Sequence, residues 1–269
     1  MAKALITTVP FGSEDDTPIR LLDEAGINNV INPIGRKLRE GELVEMISDA
    51  DYLVAGTEII SETVFQAATK LKHISRVGVG LDGVDLICAK EKGISVSYTP
   101  DAPALAVAEL TLGNIIACLR HTHVANHLMH SGVWQRLFGR RVSEVTIGII
   151  GVGRIGSLVL NMLSAFSPKM IYLNDLCENK LIETKDNVVW TSKEKIYEKA
   201  DVITLHTPLT SVSRDMITKA ELMLMKKNAI IINTARGGIV NERDLYSVLC
   251  DGHLGNVALD VFETEPYND

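Results

Sequence analysis

Short apolar runs recur along the chain, at residues 4–9, 52–56, 73–77 and 94–97 in the first part and at 145–150, 170–174, 202–206, 229–233 and 255–260 in the second. Their length and their content of valine and isoleucine predict strands. Between them lie stretches with helical spacing of apolar residues, at 19–25, 41–48, 61–71 and 84–92. The runs TIGII and AIIIN are apolar at nearly every position, so both faces of those strands are expected to meet helices. That is the signature of parallel sheets covered on both sides, an α/β architecture.

The alternation breaks once, at YTPDAPA, residues 98–104, where two prolines precede a long helical stretch from 105 to about 130. Proline disfavours helix in the residue before it, so a hinge is expected here. It divides the chain into domains 1–100 and 101–269. A length of 269 residues agrees, at roughly 150 residues per domain.

Composition narrows the classes. Hydrophobic residues at 46% and charged residues at 23% describe a folded globular chain and exclude disorder or a collagen-like repeat. With 27 Lys and Arg against 34 Asp and Glu, the net charge of −7 gives no basic field for nucleic acid. No window reaches the ~18 uninterrupted apolar residues of a membrane helix. The N-terminus runs into Glu14, Asp15 and Asp16 without the apolar core of a signal peptide. Cys88, Cys118, Cys177 and Cys250 form no C-x-x-C pair and are expected to be unpaired, mostly buried thiols. A cytoplasmic protein without membrane or nucleic-acid partners is the expectation.

The sharpest local signal is VTIGIIGVGRIG, residues 145–156, which places Gly151, Gly153 and Gly156 as G-x-G-x-x-G between a strand and a helix. In that context the first glycine makes the turn, the second lets a pyrophosphate approach the backbone, and the third lets helix pack on strand. The helix N-terminus then offers free N–H groups to phosphate. Asp175 ends the next strand 19 residues after Gly156, where a carboxylate takes the adenosine ribose hydroxyls and repels a 2′-phosphate. NAD is therefore the expected cofactor.

Three further strand ends point toward the same edge: HTPLT at 206–210, NTARGG at 233–238 and LDVFETEP at 259–266. Arg236 follows an apolar strand and precedes two glycines, which would let the backbone lie close to a ligand. Its planar fork suits a substrate carboxylate or carbonyl. An ordinary surface arginine would fit the same position taken alone.

GVGRIG, HTPLT, NTARGGIV and ALDVFETEP, in this order and spacing, together with HISRVGVGLDGVDL and VAEL, resemble the D-2-hydroxyacid dehydrogenases. The resemblance covers essentially the whole chain. It implies two flavodoxin/Rossmann-like domains with parallel sheets and an active site in the cleft between them, the first domain binding substrate and the second NAD. It assigns Arg154 and Ile155 to the pyrophosphate and Asp175 to the ribose. His206, Thr207, Pro208, Thr234, Ala235 and Arg236 would line the cofactor, and Asp260 would hold the carboxamide. The backbone of Val79 and Gly80 would bind the substrate carboxylate. Arg236 would polarise the carbonyl, and Glu265 would orient a proton-transferring histidine. A 2-hydroxy acid or 2-keto acid, with 3-phosphoglycerate first among them, is the implied substrate, and a homodimer the implied assembly.

The chain departs from that pattern most at its end. The histidine expected about twenty residues after Glu265 is not one of the seven at 73, 121, 123, 127, 130, 206 and 253. The abrupt Glu-Pro-Tyr-Asn-Asp ending leads us to expect that the chain continues. An NAD(H)-binding corepressor-like module and a formate or phosphite dehydrogenase relative stand as alternatives. His123 and His127 are i, i+4 on a helix but lack the partners of a zinc motif, so no metal is expected. His253 is expected in an exposed turn, and Trp134 as a packing anchor at the hinge and dimer contact. Pro103, where a polar residue is common in phosphoglycerate-type relatives, bears on the substrate.

Overall fold

The structure is a computed structural model describing residues 1–180, 182 and 186–267. Asn268 and Asp269, which end the second expected domain, lie outside the described residues. Contacts divide the chain into two compact units, Met1–Pro103 and Ala104–Asp269.

The first unit runs β1 (Lys3–Ile6), α1 (Thr17–Glu24), β2 (Asn28–Ile31), α2 (Glu40–Ile47), β3 (Tyr52–Ala55), α3 (Glu62–Ala67), β4 (His73–Arg76), α4 (Leu86–Glu91) and β5 (Ser95–Tyr98). The strands form a parallel sheet in the order β2-β1-β3-β4-β5, the flavodoxin-like winding. Its core gathers Leu5, Leu53 and Ile74 from the strands with Leu43, Ile47, Val64 and Phe65 from the helices. Asp85 starts α4 by accepting the Cys88 N–H at 2.9 Å, which satisfies one of the orphan donors of the first turn.

The second unit opens with α5 (Ala104–Arg120) and α6 (Thr122–His130). It continues through β6 (Thr146–Ile150), α7 (Arg154–Ser164), β7 (Met170–Asn174), β8 (Val188–Trp190), α8 (Lys193–Lys199), β9 (Val202–Leu205), α9 (Lys219–Leu224), β10 (Ile230–Asn233), α10 (Glu242–Cys250) and β11 (Asn256–Leu259). The parallel sheet has the order β11-β10-β9-β6-β7-β8, the Rossmann winding. Alternation along the central strands divides the core in two. Ile147, Ile149, Ile230 and Ile232 pack with α5 and α7 on one face. Ile150, Ile203 and Ile231 pack with Ile196, Leu222 and Leu245 on the other. The near-continuous apolar runs thus serve two helical layers.

Several expectations change. The helix expected from 105 to 130 is two helices bent by 66°, with His121 between them at φ 54°. Two strands are additional, β2 and β8; each is an edge strand, short and half-exposed, so its apolar signal is weak. Trp134 is 83% exposed, with Phe138 beside it in sequence at 92%, so neither is buried within its own unit. Cys88 and Cys118 are buried, but Cys177 and Cys250 are exposed, so the thiols are not mostly buried. His253 is half-buried, its Nε2 lying 3.0 Å from the Met225 carbonyl oxygen, because the turn folds back on the loop before β10. Among the described residues no single helix is long and apolar enough to cross a membrane.

Candidate nucleotide and substrate site

The loop from β6 into α7 is built by its glycines. Gly151 has φ +91°, and a Cβ there would stand 2.6 Å from the His206 carbonyl carbon, so the turn lies directly against the end of β9. At Gly156 a Cβ would stand 2.0 Å from the Gly151 oxygen, which fixes how closely α7 folds back on the loop. Gly153, by contrast, has nothing within 4 Å of its Cβ position. It caps α7 without a side-chain hydrogen bond, and Gly153 and Arg154 are exposed while Ile155 is half-buried.

Asp175 follows β7 immediately and binds this loop. Its Oδ2 accepts the Val152 N–H at 2.7 Å, and its Oδ1 accepts the Leu176 N–H at 2.7 Å. Asn174 supports the same corner, its carbonyl taking the Gly151 N–H at 2.8 Å. The carboxylate is thereby held at the glycine turn, with lone pairs remaining for hydroxyl donors.

At the end of β9, His206 Nε2 lies 3.0 Å from Thr204 Oγ1, while its Nδ1 and the adjacent Thr207 Oγ1 are buried without a partner among the described residues. Burial pushes the His206 imidazole down to about 4, so the ring is neutral at pH 7. The sign of the linkage follows. Its stabilising effect is complete above the ordinary value of 6.5 and is lost as the pH falls toward 4, because the unfolded chain takes up the proton first. A titration of the His206 ring by NMR is expected to give a midpoint near 4; a midpoint near 6.5 would contradict its burial. Pro208 continues the segment, its carbonyl oxygen accepting Ser213 Oγ–H at 2.6 Å.

The segment after β10 is held by Asn233. Its Oδ1 accepts the Ala235 N–H at 3.1 Å and its Nδ2 donates to the Arg236 carbonyl at 2.9 Å. Thr234 is buried with its hydroxyl 2.8 Å from that of Thr111 on α5, and Thr111 also contacts the Val107 carbonyl at 2.8 Å. The Thr234 hydroxyl therefore ties the loop to a helix. Arg236 donates from Nη1 to the Ala235 carbonyl at 2.7 Å, which fixes one edge of its guanidinium.

Gly237 has a different task from the one its sequence context implied. A Cβ there would stand 1.9 Å from the Phe262 oxygen and 2.6 Å from the Glu263 nitrogen, so the close approach is to the segment after β11. That segment carries the acids. Asp260 donates its N–H to the Asn233 carbonyl at 3.0 Å, and its carboxyl is raised by desolvation and by the charge of Glu265. Glu265 Oε1 accepts the Phe262 N–H at 3.1 Å. Thr111 stands outside the sequence motifs, and its one signal is a threonine amid the apolar positions of α5; Asn233 opens the NTARGG segment, but its bracing role comes from its bonds to Ala235 and Arg236.

In the first unit, Val79 and Gly80 lie in the partly exposed loop after β4. Thr99 braces that loop, its Oγ1 accepting the Gly78 N–H at 2.8 Å and its N–H reaching the Gly78 carbonyl at 3.1 Å. Among the described residues no group of three His, Cys, Asp or Glu side chains is placed to hold a metal ion, His123 and His127 included.

A Rossmann sheet with a glycine turn, an acid after the second strand and an open helix N-terminus defines a dinucleotide-binding domain. Residues 112–269 match the family model for the D-isomer specific 2-hydroxyacid dehydrogenase, NAD binding domain. The chain belongs to the D-isomer-specific 2-hydroxyacid dehydrogenase family. It is 40% identical over 273 residues to D-3-phosphoglycerate dehydrogenase of Methanocaldococcus jannaschii, an alignment covering 100% of this chain and 50% of that protein. It thus spans half the length of that relative. Hydroxypyruvate reductase of Thermotoga maritima is 38% identical over 236 residues, 86% of this chain and 76% of that one. Among solved structures, D-lactate dehydrogenase of Aquifex aeolicus, complexed with NAD and lactic acid, superposes with a TM-score of 0.85 at 27% identity, covering 98% of this chain and 78% of that one.

Proposed function

We propose that the protein is an oxidoreductase that moves hydride between NAD(H) and a D-2-hydroxy acid or its 2-keto acid. The observation that carries this is the coincidence, in one unit, of the Asp175-held glycine turn with Arg236 and Glu265 on neighbouring strand ends. NAD, when bound, supplies the redox chemistry. The first-turn N–H groups of Arg154 and Ile155 bind its pyrophosphate, and Asp175 accepts from the adenosine ribose and repels a 2′-phosphate. The segments His206 to Pro208 and Thr234 to Arg236 line the nucleotide, where the unpartnered His206 Nδ1 and Thr207 Oγ1 offer it polar atoms. Asp260 orients the carboxamide end.

Toward the substrate, the N–H groups of Val79 and Gly80 hold the carboxylate. Arg236 holds the 2-oxygen and stabilises negative charge as it develops there. Glu265 orients the imidazole that carries the hydroxyl proton. Neither His206, buried and neutral, nor His253, engaged with Met225, has that role. The exposed Trp134 and Phe138 support contact with a second copy.

Motif likeness and the Methanocaldococcus relative's name support 3-phosphoglycerate as the acid, whereas the buried Glu58 in the first unit favours an unphosphorylated one. The test is an absorbance assay at 340 nm on the protein expressed from its complete gene, with NADH and a series of 2-keto acids. Turnover of at least one is expected. NAD(H) binding with no turnover of any 2-keto or 2-hydroxy acid would overturn the reading.

A further inference from the structure

In the first unit the winding reverses beside β1, so the connections leaving β1 and β3 pass to opposite faces and open a crevice at the strand ends. A cleft of about 120 Å³ lies at that point. It is lined by Thr7 and Thr8 after β1, Thr57 and Glu58 after β3, Lys37, and Val77 at the end of β4. Glu58 is the unusual member, a carboxylate only 3% exposed. Its Oε1 takes the Thr7 hydroxyl and, at 3.2 Å, the Gly56 N–H. Its Oε2 has no donor among the described residues. The surrounding backbone is fixed, for Ile60 donates to the Gly83 carbonyl at 2.7 Å and a Cβ at Gly83 would stand 2.7 Å from the Glu58 oxygen.

Glu58 is buried as a residue, yet its Oε2 is not enclosed and opens on the cleft, where its lone pairs stand ready for a hydrogen-bond donor. The cleft also adjoins the carboxylate loop, since the chain passes from Val77 directly to Val79 and Gly80. We propose that Glu58 determines specificity: its Oε2 accepts a hydrogen bond from a neutral hydroxyl on the third carbon of the substrate, and its charge rejects a phosphate at that carbon. The inference rests on the 2-hydroxy acid reading above. Lys37 is the opposing charge at this cleft, but it is exposed and free to turn into water, whereas the Glu58 side chain is held in place by Thr7 and Gly56. A site built to receive a hydroxyl discriminates strongly against ligands that lack it.

The test is calorimetric binding of D-glycerate, glycolate and 3-phosphoglycerate in the presence of NADH, which cannot react with a hydroxy acid. In the wild-type protein D-glycerate is expected to bind about tenfold or more tighter than glycolate, which lacks the third carbon, and tighter than 3-phosphoglycerate. In Glu58→Gln the preference for D-glycerate over glycolate should shrink about tenfold, with glycolate binding unchanged. Equal or tighter binding of 3-phosphoglycerate by the wild type, no detectable binding of D-glycerate, or an unchanged ratio in the folded variant would overturn the proposal. Should the variant fail to fold, the wild-type series alone decides. Turnover without the D-glycerate preference would remove only this inference, and the preference without turnover would remove only the enzymatic one.

Discussion

Arg236→Lys is expected to lower kcat/KM for the 2-keto acid about a hundredfold, the scale of removing one charge-stabilising donor from an active site. The substitution keeps the charge, so the loss isolates geometry. In the structure the guanidinium is pinned along one edge by the Ala235 carbonyl, and its backbone is held by Asn233. A lysine ammonium has neither the plane nor the second parallel donor to bridge a carboxylate and a 2-oxygen. NADH affinity, followed by fluorescence titration, should fall far less than kcat/KM, because Arg236 is one of several residues proposed to line the nucleotide and the glycine turn and Asp175 are untouched. Turnover equal to the wild type would remove Arg236 from the site.

Gly156→Ala is expected to act on the fold itself. The added Cβ would stand 2.0 Å from the Gly151 oxygen, which is backbone and cannot rotate away. Either α7 lifts off the turn or the turn opens, at a cost of about 3 kcal/mol, the upper end of ordinary overpacking. The helix N-terminus would shift with it, so NADH binding should weaken at least tenfold as well. Chemical denaturation and NADH titration on the same sample check both effects. Wild-type values in both would show that α7 can move without disturbing the turn.

Why these two effects are foreseeable, and others are not, lies in the physics of each position. TIGII and AIIIN were legible as buried parallel strands because helices cover both of their faces. The glycine turn was legible because its spacing is dictated by steric closeness, and the acid after β7 followed from the same geometry. β2 and β8 were not, since an edge strand with few apolar residues carries little pattern. The break at His121 was also hidden, because one residue with positive φ leaves the apolar spacing on either side unchanged. Trp134 carries a related ambiguity: a large aromatic signals burial, but not which surface buries it. Thr111 and Glu58 matter through partners distant in sequence, Thr234 and Thr7, and no local spacing announces such pairs. Gly237 meets the backbone of Phe262 and Glu263, a neighbour that its local spacing does not announce.

The hydrogen bonds from Val152 and Leu176 to Asp175 have a thermodynamic consequence. They fix the glycine turn and the Asp175 carboxylate relative to each other, so that, on the proposed reading, the nucleotide meets a turn already shaped. Little ordering entropy is then left to lose on association, so affinity should respond to changes in contact more than to changes in loop flexibility. Exchanging that acid to welcome a phosphorylated ribose would therefore remove two functions together, the preference and the preorganisation. Retuning cofactor choice here calls for a replacement that still accepts the Val152 N–H.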